Sequence, residues 1–495
     1  MEPEKGPSVV SAGGPFIFLV LKFLLTLLKM VIGLAGDSIS VTIFSYWGGT
    51  VQQEPFDRKR LVNEYTKFDR EKNGGKGQSE SPDSGHLGWS ESGCLDAYIK
   101  LYESTGDEKW LRKMTSHFDR MLRTRQDHFE DGSPTWVTPT YSVALVHTGK
   151  MHNRGTAQIT PVEDRVWTIR GGASIGDGRW ILEVKDGGGF VVHDYGTRRQ
   201  AAKGKFRSGA DIPFFSPFKI SIAGKPMPGD RFWVQMFEGE PLEYIVHQGM
   251  FLYPMSRFIE TVLKNRDLKA KYGEKAGKYL KFIAEEIADK HERDWVDTSR
   301  STGGYRFSPW MTERFPNRIM PHNQYLALGR AYLMLGNVSR KRLFADRTER
   351  MARNFKKHLR KTGNAYTWYY WDWLEAGDPG NSNVEDTSHG QIDIGFVVDA
   401  CRRGVVFTPG DLKRFGRTLL DQMWNGSLED PVIGGHVDRK EGDAKPVRDW
   451  IDLCQWTPDV WDVMFASFCK QGQPVSHIPS ILQGWSRFHE GRKKK

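Results

Sequence analysis

The sequence predicts a mainly α protein, an (α/α) toroid or incomplete barrel of helical hairpins carrying an inserted β-sandwich-like domain. Three observations carry that expectation. Amphipathic runs at helical spacing recur in pairs joined by short turns, residues 155–237 switch to alternating β-type runs, and six of the eight residues from Tyr366 to Trp373 are aromatic. Paired helices repeated over most of a chain bury their apolar faces by stacking neighbours side by side, which favours a toroid or solenoid over a simple bundle.

The apolar stretch Phe16–Gly36 has the length of a membrane-spanning helix, but Lys22 and Lys29 interrupt it. A lysine near the middle of such a helix costs roughly 2.5–3.5 kcal/mol. Glu2 and Glu4 make a poor basic leader before it. A signal-anchor, a cleaved signal and an interfacial amphipathic helix all fit residues 16–36. Residues 1–40 are therefore expected to be an export or anchor segment, placing the protein outside the cell or on a membrane.

Residues 41–154 are read as the first part of the toroid. Trp89, Leu95, Tyr98, Ile99 and Tyr102 share one helical face, Ser104–Asp107 form a turn, and Trp110, Leu111, Met114, Phe118, Met121 and Leu122 continue the pattern. In the insert, Trp180–Val184, Phe190–His193, Lys219–Ile222 and Phe232–Gln235 alternate or carry β-branched residues, separated by Gly clusters. Residues 238–490 return to hairpins: Leu242–Val262 with Ala270–Lys290, Ala331–Met334 with Arg340–Leu359, Ile392–Gly404 with Leu412–Trp424, and Thr457–Lys470 with Ile478–His489.

The 17 Trp suit a protein that stacks sugar rings, and the net charge of +10 suits an anionic partner. No nucleic-acid motif accompanies that charge. Cys94, Cys401, Cys454 and Cys469 form no CxxC pair, which argues against zinc-ribbon and thioredoxin-like chemistry; a Cys454–Cys469 disulfide fits an exported protein. No metal and no cofactor is expected.

Leu87–Ser92, Tyr102–Asp107, Pro321–Gln324, Ala327–Arg330 and Glu385–Gly390 together resemble the hairpins of α/α-toroid carbohydrate-active proteins, a group that includes polysaccharide lyases and glucuronyl C5-epimerases. The likeness covers roughly residues 85–150 and 240–490. It implies a lyase acting by β-elimination on an acidic, uronate-containing polysaccharide. Removing the weakly acidic C5 proton demands a base and a group that neutralises the adjacent carboxylate. By that resemblance Tyr305 is the acid/base and His247 its partner base, while Arg300, His322 and Asn323 hold the carboxylate. Trp89, Glu91, Tyr366, Trp368, Tyr370, Trp371, Glu385, Asp386 and His389 are expected to bind substrate.

The same residues have plainer roles open to them. His247 suits a satisfied interior histidine, Tyr305 a buried hydroxyl, Arg300 a surface ion pair, and His322 and Asn323 a helix start after Pro321. A uronate C5-epimerase, a glycoside hydrolase using Glu91 with Glu385 or Asp386, and a non-catalytic glycan binder are the alternative activities. Asp372 and Glu375 are weaker hydrolase candidates.

Overall fold

The computed structural model describes residues 56–495 apart from 141, 163–164, 168, 171–172, 175–177, 207–211, 216–217, 238, 240, 309–314, 316, 372–382, 446–447 and 494–495. The apolar stretch 16–36, Asp372 and Glu375 lie outside the described residues. The chain divides into two compact units, Met1–Arg60 and Leu61–Lys495, and the elements below belong to the second.

That unit is mainly α. The first hairpin is α1 (Ser92–Thr105) and α2 (Lys109–Arg123), and the second is α3 (Ile245–Lys264) and α4 (Arg266–Phe282). The third pairs α5 (His322–Leu335) with α6 (Leu343–His358), and the fourth α7 (Thr387–Arg402) with α8 (Pro409–Arg417). A 3₁₀ turn at Trp450–Gln455 precedes α9 (Asp459–Lys470) and α10 (Ile478–Lys493). The sequence places each start physically. Asn265 accepts from the backbone of Asp267 and Leu268 at the head of α4, and Thr408 with Asp411 forms a capping box around Pro409 at the head of α8.

The odd-numbered helices α1, α3, α5 and α7 are the more completely buried partners. Helix α5 has every residue from His322 to Leu335 buried, whereas α6 buries one face only. Helix α1 packs on α3, α3 on α5, α5 on α7, α7 on the 3₁₀ turn, that turn on α10, and α10 on α1. Helices α2, α4, α6 and α8 each pack on the preceding odd-numbered partner. The α3–α5 approach is the tightest: a Cβ on Gly249 would stand 2.3 Å from the Leu328 backbone nitrogen.

The inserted β-region has two main sheets beside a two-stranded pair, Ile169–Arg170 with Ala173–Ser174. One has the order β3-β1-β9-β4-β5-β6, from β1 (Val143–Lys150), β3 (Arg165–Trp167), β4 (Gly178–Lys185), β5 (Gly189–Asp194), β6 (Gln200–Lys205) and β9 (Arg231–Phe237). The other has the order β2-β8-β7, from β2 (Gln158–Pro161), β7 (Ile212–Phe215) and β8 (Phe218–Ala223). Leu182, Val192, Phe232 and Val234 of the first sheet share a core with Ile159, Ile220 and Ile222 of the second. Strand β1 precedes the expected boundary at residue 155. Its Val143–Val146 run is short and apolar, a pattern that periodicity does not separate from helix.

The four cysteines are free thiols, so the Cys454–Cys469 disulfide is corrected: Cys454 is buried beside the Gly484 carbonyl instead. Among the described residues no helix is long and apolar enough to cross a membrane.

Candidate functional site

The N-terminal ends of α1, α3, α5 and α7 carry many of the polar and aromatic groups singled out from the sequence. Trp89 stands just before α1, His247 is in the first turn of α3, His322 and Asn323 open α5, and Asp386 caps α7. A line of ring contacts runs from Trp89 through His247 to His389. Trp89 meets His247 edge-on at 5.3 Å, Tyr244 meets His247 at 5.0 Å, and Tyr244 stacks on Phe307. Phe307 then touches Trp371, Trp371 touches Tyr370, and Tyr370 lies 5.5 Å from the His389 ring.

The solvent-facing members of this line are Trp89, at 41% exposed, with Tyr370 and His389, both part-exposed. Asp386 Oδ1 accepts from the backbone of Ser388 and His389, while Oδ2 lies 2.5 Å from His389 Nδ1. Burial pushes the Asp386 carboxyl up, but His389 and those backbone donors outweigh it and hold it below the usual carboxylate range. Asp386 therefore fixes the His389 ring from one side. Gln324 Nε2 donates to the Tyr370 hydroxyl at 3.4 Å, and the Tyr370 carbonyl accepts from the His322 amide.

A cavity runs inward from these helix starts, lined among others by Ser92, Gln391, Arg448, Asp96, Arg330 and Asp449. At its inner end lies a buried ionic network. Arg330 Nη1 donates to Asp449 at 2.7 Å and Nη2 to Asp399 at 3.2 Å, with the guanidinium 3.7 Å from the Tyr253 ring centre. Lys100 holds Asp96 at 2.7 Å, Arg257 holds Glu103 at 2.5 Å, and Arg487 holds Asp452 at 2.5 Å. Nothing in the sequence reading pointed to this network. Its signal is a charged residue inside an otherwise apolar helical run, as at Arg330 in Leu326–Leu335.

The residues expected to do proton transfer fall elsewhere. Tyr305, the expected acid/base, is fully buried; its hydroxyl donates to Glu292 Oε1 at 3.3 Å and its ring packs on Trp295. Burial, with Tyr332 and Glu292 beside it, holds the phenol well above its ordinary value. It is a core hydroxyl, which corrects that expectation. His247 is also sealed, with Nδ1 3.0 Å from Ser84 Oγ, and burial depresses it to about 3, so the ring is neutral. His322 lies buried against Tyr325, Phe355 and His358, with Nδ1 2.6 Å from the Tyr325 hydroxyl and burial holding it well below the usual imidazole range. Asn323 is buried with no hydrogen-bond partner for its Oδ1 among the described residues. Arg300 is exposed in a turn, where its carbonyl accepts from Arg350.

Half of the aromatic run is also core. Tyr366 donates to Asp411 at 2.9 Å, and burial with that bond pushes it up to about 12. Trp368 donates to Asp393 at 2.9 Å and stacks on Trp450. Trp371 is nearly buried between Phe307 and Phe315. Glu91, the hydrolase candidate, is sealed: Oε1 lies 2.5 Å from His117 Nδ1, and Oε2 accepts from the Gln78 amide at 2.7 Å.

Glu385 and Asp393 form a buried acid pair. Burial pushes both well above the ordinary carboxylate range; at Glu385 the neighbouring Asp393 and Asp386 add to it, whereas at Asp393 hydrogen bonds from Trp368 and Glu385 only partly offset it. Glu385, Asp386 and His389 also bring one ligand-type atom each to within 4.8 Å of one another, and this is the group among the described residues that could hold a metal ion.

These features define a mainly α protein with a β-insert and a cluster of aromatic, carboxylate and imidazole side chains at its helix starts. Comparison with known proteins matches no family model and no curated protein. Solved structures of FlgL from Xanthomonas campestris, in two crystal forms, are similar over 40% of this chain and 78% and 76% of theirs, at 12% identity with TM-scores of 0.16 and 0.15. The flagellar junction protein FlgL from Legionella pneumophila is similar over 40% of this chain and 84% of its own, at 13% identity and a TM-score of 0.15. Likenesses this weak carry no argument about fold or activity.

Proposed function

We propose that the protein is a lyase of acidic, uronate-containing polysaccharides, built as an α/α toroid with its cleft at the N-terminal ends of the inner helices. The cyclic order of packing, from α1 through α3, α5, α7, the 3₁₀ turn and α10 back to α1, supports the toroid. The observation that carries the activity is the pairing of Tyr370 with His389, which is oriented by Asp386 and lies two residues along α7 from Gln391, itself lining a small cavity with Arg448 and Arg330.

In this reading His389 and Tyr370 take the roles that the resemblance implied for His247 and Tyr305. His389 removes the C5 proton. Electrons of the C5–H bond form the C4–C5 double bond as the C4–O4 bond breaks, and Tyr370 protonates the departing O4. Arg448, whose guanidinium lies over Gly93 at the start of α1, neutralises the carboxylate so that charge accumulates there at lower cost. Trp89 offers an exposed indole for a neighbouring sugar.

The experiment is a screen of alginate, glucuronan and glycosaminoglycan chains, read by both ultraviolet absorbance of unsaturated uronate ends and reducing ends. His389→Gln and Tyr370→Phe should each cut turnover by about 10²–10⁴-fold while the circular dichroism spectrum is kept. Reducing ends without absorbance would identify hydrolysis and sink the lyase reading. So would full activity in His389→Gln.

A further inference from the structure

The outward face of the six-stranded sheet has features that core packing does not require. Trp180, Leu182, Val184, Phe190, Val192, Phe232, Val234 and Met236 point inward to the shared core, so alternation sends their neighbours outward. On that outer face Gly149, Trp233, Ile181 and His193 line up across four strands. A Cβ on Gly149 would stand 2.5 Å from the Trp233 ring, so the indole lies flat across the glycine with its other face open, at 36% exposed. The next row on one side is His147, Gln235 and Arg179; on the other it is Arg231, Glu183, Val191 and Lys203. Lys185 and Lys205 extend the basic flank.

Five cations (Arg179, Lys185, Lys203, Lys205 and Arg231) thus face one carboxylate, Glu183, a difference of +4 on one sheet face. Glu183 is answered by Lys185 at 2.6 Å and Arg231 at 3.7 Å. A flat, half-open indole suits the apolar face of a pyranose ring. Gln235, His147 and His193 stand beside it as hydrogen-bonding groups for hydroxyls, and the flanking cations suit carboxylates spaced along a chain.

We infer that this sheet face is a second binding surface for an acidic polysaccharide, separate from the cleft, that holds the polymer by stacking on Trp233 between Arg179 on one side and the basic flank of Arg231, Lys203, Lys185 and Lys205 on the other. The choice of polymer rests on the lyase reading above; the surface itself rests on the Trp233–Gly149 platform and its charge. A held chain raises the local concentration of uronate near the cleft without taking part in the chemistry.

The test uses the full chain carrying His389→Gln, so that the polymer is not consumed, in native gels cast with alginate or with neutral dextran. Retardation is expected in alginate and absent in dextran. Trp233→Ala and Arg179→Gln should each weaken retardation roughly tenfold with thermal melting unchanged. Undiminished retardation in Trp233→Ala, with loss only on neutralising Lys203 and Lys205, would reduce the face to ion exchange and overturn the inference. Displacement of alginate by oligo(dT) at equal charge would also overturn it, assigning the face to nucleic acid. The lyase reading fails by a different result, activity retained in His389→Gln, so the two failures are distinguishable.

Discussion

Replacing Arg330 by methionine tests whether the buried ionic network holds the helices together. Arg330 is buried, donates to Asp449 at 2.7 Å and to Asp399 at 3.2 Å, and stacks on Tyr253. Methionine keeps much of the volume but leaves two buried carboxylates without that cation. Breaking a buried pair by removing one partner costs about 3–5 kcal/mol. Here the orphaned groups keep other partners: Asp399 retains the Tyr253 hydroxyl at 2.7 Å and Arg402 at 3.5 Å, and Asp449 retains Lys100 at 3.5 Å. The lower end applies, about 3 kcal/mol, a roughly hundredfold fall in the folded-to-unfolded ratio. The assay is urea unfolding followed by circular dichroism, with Arg330→Lys as a control that keeps charge but cannot span both carboxylates. Arg330→Lys should fall between wild type and Arg330→Met. A loss below about 1 kcal/mol in Arg330→Met would refute the reasoning, because the carboxylates would then be solvated rather than dependent on Arg330.

Gly249→Ala forces a methyl against the Leu328 backbone at the α3–α5 contact, where no side chain can swing away, so urea unfolding should show a loss of about 1–3 kcal/mol; an unchanged midpoint would contradict the close approach. Opposite cations hold Asp399 and Asp452 below the ordinary carboxylate range against the effect of burial. Depressed folded values mean that this stability is fully present above the unfolded value near 3.9 and lost as pH falls through the folded ones, so the urea midpoint should decline below about pH 4. A midpoint flat from pH 7 to pH 3 would count against it. Glu385→Gln supplies an amide donor to Asp393 and removes one of two buried acids, so the melting temperature at neutral pH should rise, by roughly 1 kcal/mol of stability. A marked drop would mean that Glu385 serves as a carboxylate.

The sequence by itself determined the helical hairpins and the existence of the β-insert. Helical spacing at Trp110, Met114, Phe118 and Met121, and alternation at Trp180, Leu182 and Val184, are local patterns that report which face a core must cover, and those residues are buried. The Asp386-to-His389 turn was legible as well, because capping is decided within one turn of helix. Only the tertiary structure decided which candidates face solvent. Tyr305 and Tyr370, or Glu91 and Asp386, look alike as residue types, yet one of each pair is sealed by side chains of neighbouring elements, such as Glu292 beside Tyr305 and His117 beside Glu91. The buried network was decided the same way: Arg330, Asp399 and Asp449 come from separate segments, and their charges are tolerated only because packing brings the partners together. The outer sheet face completes the contrast. Alternation alone sends Trp233 outward, but the flat indole over Gly149 exists only once β1 and β9 pair in this register.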